Sequence, residues 1–219
     1  MLHMNKEKGT KKYRFFWREE ARHFVSGTLR LIRFARKKNI DTIVVGGTSA
    51  QPVAYLFRYL WVQLFPNQKK PKFYALGLIP RAEKDEKKLA ELIRKTFPSI
   101  TNANRIMILE EFAASGGTAE RIKRALQLIG KEHVFKTTLF SSKLASKKFD
   151  LVGARLKTLP KSYGVRRSAF IEEGSSERFK LKSKGWAKDG VLSMKLLRRE
   201  LREMGRIPKK HVQRLRRVM

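Results

Sequence analysis

Glu110 and Glu111 follow an apolar run at 106–109 and precede a small-residue turn, Ala113-Ala114-Ser115-Gly116-Gly117-Thr118. Carboxylates at a strand end can hold sugar hydroxyls or a hydrated metal. A glycine-rich turn opening a helix offers backbone N–H groups to a phosphate. Side by side, the two chemistries suit a phosphorylated ribose. Glycines at 116 and 117 permit close approach and unusual dihedrals, and the Ser115 and Thr118 hydroxyls add donors or simply cap the helix. The four histidines, at 3, 23, 133 and 211, lack ligand spacing, and the chain has no cysteine, which excludes thiolate zinc sites and disulfides.

The elements that must position these residues are legible as alternating patterns. Residues 17–37 carry apolar positions at helical spacing. Residues 41–45 form a β-branched run, followed by a Gly46-Gly47-Thr48-Ser49 turn and a helix over 53–65, with Pro52 suited to its first position. A strand is expected over 72–78, a turn at Pro80-Arg81, and an amphipathic helix over 83–97 with acids early and bases late. Then come the strand at 106–109, a helix over 117–129 stopped near Gly130, and strands over 134–141 and 151–156. Strands separated by single helices imply an α/β fold with a parallel sheet covered by helices on both faces. Ligands of such sheets bind beyond the carboxyl ends of the strands. Both the 46–51 turn and the 110–118 segment lie there.

The segment Leu109-Glu110-Glu111-Phe112-Ala113-Ala114-Ser115-Gly116-Gly117-Thr118 resembles the phosphoribosyl-diphosphate (PRPP) motif of the type I phosphoribosyltransferases, most closely the adenine phosphoribosyltransferase version. The element order from the leading helix to about residue 157 is similar to that family's core. The resemblance implies an enzyme that moves ribose 5-phosphate from PRPP to a nucleobase or related nitrogen acceptor, releasing pyrophosphate. It implies that Glu110 and Glu111 act on the ribose hydroxyls, directly or through the water shell of a Mg²⁺ ion. It implies that Ala114, Ser115, Gly116, Gly117 and Thr118 cradle the 5-phosphate, and that Gly46, Gly47, Thr48, Ser49 and Arg81 face the pyrophosphate. Both acids are glutamate where the family pattern usually has at least one aspartate. Ala114 replaces the aspartate of the 6-oxopurine members, and the segment after the second strand is too short for the family's hairpin hood. A non-catalytic PRPP or nucleotide sensor, or an RNA-binding protein, on the same fold is the alternative.

The 219 residues carry 51 Lys and Arg against 19 Asp and Glu, a formal charge of +32. This points either to a polyanionic partner such as RNA, held by the basic termini, or to a bias that puts cations on every solvated face. The chain divides into a basic arm (1–16), the α/β core (17–157) and a basic extension (158–219) with one expected helix at 191–204. Tyr13, Phe15, Phe16 and Trp17 suit either base stacking or core packing. The apolar-leaning stretch 43–65 is broken by glycines, Pro52 and Arg58, so no membrane span is expected, and the basic N-terminus lacks an apolar signal region. A cytoplasmic protein is the expectation. Family members are often homodimers.

Overall fold

The computed structural model describes residues 18–77, 79–113, 115–141, 143–154 and 197–219, with backbone alone at 18–20, 81, 143 and 144. Five strands form one sheet: β1 Thr42–Val45, β2 Lys72–Ala75, β3 Arg105–Ala113, β4 His133–Ser141 and β5 Leu151–Val152. Their order is β2-β1-β3-β4-β5 and every pairing is parallel. Among the described residues the helices are α1 Arg18–Lys37, α2 Gln51–Leu64, α3 Ile79–Ala82, α4 Glu86–Thr96, α5 Gly117–Leu128, α6 Lys143–Ser146, α7 at 197–204 and α8 Lys209–Val218.

The apolar strand runs are buried on both faces. In β1, Ile43 and Val45 pack with α1 and α2, while Val44 packs with α4 and α5. In β3, Met107 and Leu109 join the first layer, and Ile106 and Ile108 join the second. This is the pattern of a parallel sheet covered on both faces, as expected from the sequence.

Several local expectations change. The β2 ladder ends at Ala75, and 79–82 is a helical turn rather than an open one. Helix α4 begins at Glu86, because the Asp85 carboxylate accepts N–H bonds from Lys87 and Lys88 and so caps it. A short helix, α6, separates β4 from β5 where two successive strands were expected. Residues 209–218 form a helix of their own, so the described C-terminal residues hold two helices, α7 and α8. Leu197, Leu201 and Met204 of α7 are buried in the α1–α2 layer, and Val212 and Leu215 of α8 pack against it. The ring cluster at 13–17 and the basic segment at 161–188 lie outside the described residues.

Two backbones approach closely where α1 crosses the end of β5. A Cβ placed on Gly153 would lie 2.9 Å from the Gly27 carbonyl oxygen. Strand β2 is an edge of the sheet among the described residues. It is four residues long, half-exposed, preceded by Pro71 and opened by an exposed Lys72.

On the second face, Lys136 of β4 forms an ion pair with Glu120 of α5, which Arg124 joins at 3.4 Å. The Lys136 hydrogen bond is the main cause that holds the Glu120 carboxyl below its usual range. A depressed acid stabilises the fold above its unfolded pKa of about 4.3, and that contribution is lost as pH falls through the folded value. Glu120 is partly exposed, so the effect is about 1 kcal/mol or less. Denaturant midpoints should therefore separate wild type from Glu120→Gln at pH 7 and converge near pH 3. A constant gap across that range would remove the pair from the account.

Candidate functional site

Strand β1 ends opposite Leu109, and the Gly46 N–H extends the ladder by one bond to the Leu109 carbonyl at 3.0 Å. The chain then leaves the sheet, while β3 continues to Ala113. The flank of β3 from Glu110 onward therefore lies beside the turn that follows β1. Strand order reverses between β1 and β3: β2 lies outside β1 on one side, β4 and β5 beyond β3 on the other. This is the switch point at which open parallel sheets bind ligands.

The turn is tight. Gly46 and Thr48 are buried, residues 48–50 form one turn of 3-10 helix, and the Ala50 N–H donates to the Gly47 carbonyl at 3.2 Å. Gly47 is extended and has open space around its Cα, and Ser49 is half-buried. A Cβ on Gly46 would lie 3.1 Å from Glu110 Oε1 and 3.2 Å from Ile122 Cδ1. Absence of a side chain at 46 is thus what admits Glu110 to this position, so the turn and the first acid are in direct contact.

The two acids are not at the strand end, where the sequence placed them. They lie within β3, which runs on through Phe112 to Ala113, and both are buried, Glu110 at 9% and Glu111 at 2% exposure. Glu110 and Glu111 both take part in interactions within the fold. Strict alternation also fails here. Ile106 and Ile108 face α4 and α5, yet Phe112 and its register partner Phe140 pack with the α1–α2 layer. The change of side falls between Glu110 and Phe112, so the acid pair occupies an irregular stretch of strand.

Gly116 precedes α5 in the left-handed region, φ 79 and ψ 5, which glycine adopts without steric cost. It is buried: a Cβ there would meet the Phe149 ring at 3.1 Å. Phe149 therefore closes the Gly116 side of the loop, and the accessible part of the cradle is Ser115 and Gly117, both exposed, with Thr118 half-buried. Ser115 Oγ accepts a long bond from the Gly117 N–H at 3.4 Å, so this hydroxyl serves the helix terminus. Ala114 lies outside the described residues, and Arg81 is described only as backbone within α3.

Sequence reasoning missed Lys148. Its Nζ donates to the Ser115 carbonyl at 3.1 Å, which sets an exposed ammonium beside the positive end of α5. Only the parallel β4–α6–β5 crossover brings it there, 33 residues along the chain. A basic pair ahead of a phenylalanine and an aspartate gives no signal for this.

A cavity of about 210 Å³ adjoins the first turn. Val45 and Ala75, the last residues of β1 and β2, form its floor; Gln51, Tyr55 and Arg58 of α2 and Arg198 of α7 form its walls. No protein-family model matches the chain, and no curated protein matches it. Among the described residues no three metal-ligating side chains cluster. Glu110 and Glu111 supply carboxylate oxygens on this stretch of β3, the ligand type that Mg²⁺ takes. No described helix is long and apolar enough to cross a membrane.

Proposed function

We propose that the chain binds PRPP at the β1–β3 switch point and transfers its ribose 5-phosphate to a nucleobase-like nitrogen acceptor, releasing pyrophosphate. The observation that carries this reading is the contact between the Gly46 turn and Glu110, beside the glycine-opened terminus of α5. The 5-phosphate rests on the Ser115 and Gly117 amides, with Thr118 and Lys148 at its margin. Glu110 and Glu111 orient the ribose hydroxyls and hold Mg²⁺ through water. When bound there, Mg²⁺ would supply charge neutralisation at the pyrophosphate. The Gly46–Ser49 turn lies on the pyrophosphate side, with Arg81 near in sequence to the end of β2. The acceptor enters by the 210 Å³ cavity, whose amide, phenol and guanidinium groups suit a planar polar ring. Most of the rate enhancement in such a site comes from orientation and electrostatic stabilisation.

The deep burial of both acids favours one second reading: a sensor that binds PRPP without turnover. Thermal unfolding with Mg²⁺ and PRPP, followed by pyrophosphate release over a panel of bases, distinguishes the two. Saturation at about a hundred times Kd should stabilise the protein by about 2.7 kcal/mol. Turnover that disappears in Glu110→Gln and Glu111→Gln supports the transferase, whereas stabilisation without turnover supports the sensor. A wild-type melting temperature indifferent to millimolar PRPP sinks both.

A further inference from the structure

The +32 charge is not evenly distributed over the fold. From Arg18 to Lys72, the span of α1, β1 and α2, there are eleven Lys and Arg and three acids, Glu19, Glu20 and Asp41, and α7 in the same layer adds Arg198, Arg199 and Arg202 with Glu200 and Glu203. From Gly205 to Met219, which holds α8, there are six and none. The Asp41 carboxylate accepts the Asn104 and Arg105 N–H groups at 2.9 and 3.1 Å. The other face differs. Residues 79–102 and 117–132, which include α4 and α5, carry ten Lys and Arg against six acids, and Arg124 and Lys136 there are paired with Glu86 and Glu120. A general compositional bias would load both faces alike.

The cations on the first face are also held in place. Arg36 lies 4.2 Å from the Phe65 ring centroid, Lys38 5.5 Å from Phe135, Arg58 5.5 Å from Phe73 and Arg198 5.8 Å from Tyr55. Such stacking fixes charged heads before a partner arrives. It also covers ring faces that unpaired bases would need for stacking. Helix α8 lies against α2 through Val212 and Leu215, with Arg216 bonded to the Leu64 carbonyl. Its apolar side is therefore used internally, which disfavours insertion into a lipid surface. A helix seated flat in this way does not project into the major groove of B-form DNA. It presents a broad cationic surface, which suits A-form RNA, a duplex recognised through backbone and shape.

We propose that the α1–α2–α8 face binds the sugar–phosphate backbone of double-stranded RNA. This does not rest on the phosphoribosyl reading. Arg33, Arg214 and Arg217 are exposed on this face; Lys87, Lys88 and Lys95 are exposed on α4. The test compares two triple variants of the full chain with equal net charge, R33E/R214E/R217E and K87E/K88E/K95E, against an RNA duplex of about 20 base pairs. Fluorescence anisotropy across a salt series reads affinity, and unchanged melting temperatures verify that both variants fold. The first variant should bind at least about tenfold more weakly, with its salt slope reduced by roughly two to three. The α4 variant should stay within about threefold of wild type. Equal losses in the two variants would reduce the effect to net charge and overturn the proposal. So would equal or tighter binding of single-stranded RNA, of B-form DNA of the same sequence, or of anionic phosphatidylserine vesicles. Retained PRPP stabilisation in the first variant keeps this result separate from the site at β3.

Discussion

Replacing Phe24 by alanine is expected to lower stability by about 3–5 kcal/mol, the largest single loss in the described core. Phe24 of α1 is completely buried, and its ring lies 6.4 Å from that of Phe140 on β4. Leu31 and Ile32 on the same helix are also fully buried, so the neighbourhood is fixed by several elements and collapses little into the vacated volume. For a chain of this size the melting temperature should fall by on the order of 10 °C. Phe24→Leu keeps much of the volume and should cost clearly less. Equal losses for the two variants would mean that ring packing against β4 is not what holds α1 to the sheet.

The second large effect is expected at Gly116. Alanine there adopts the left-handed backbone at about 1–2 kcal/mol and also pushes against the Phe149 ring. The peptide plane that orients the Gly117 N–H then has to turn. Gly130 supplies the matched control, because it has the same φ of 79 at the opposite end of α5 and no atom within 4 Å of a Cβ. Gly116→Ala should lose stability and PRPP-dependent stabilisation together. Gly130→Ala should lose only the left-handed backbone cost and keep the ligand response. Equal ligand responses in the two variants would remove the α5 terminus from the binding site.

Strands β1 and β3 were legible because two-sided burial writes continuous apolar runs, as at Ile43, Val44 and Val45 or Ile106, Met107, Ile108 and Leu109. Pro52 and Gly130 bracketed helices by local chemistry alone. The extension of β3 through Glu110 and Glu111 was hidden, since two successive carboxylates read as a strand end. Their inclusion depends on the ladder with β4, in which Glu110 stands opposite Thr138. The cover over Gly116 was also hidden, because Phe149 arrives from a distant crossover. Helix α8 reads as a charged tail: its apolar residues are few, and only the surface of α2 gives them a place to pack. What spacing reveals is which residues share a face; which neighbour meets that face is a property of the assembled sheet.

The border strand β2 has a further consequence. Its outer backbone groups form a template onto which another molecule's strand could zip. Pro71 withholds a donor at the entry, and the ammonium of Lys72 repels an identical ammonium brought alongside. Four residues give such a zipper little length to grow. The molecule is thereby guarded against runaway sheet-to-sheet polymerisation through this rim, a protection that Lys72→Val should weaken without touching the interior.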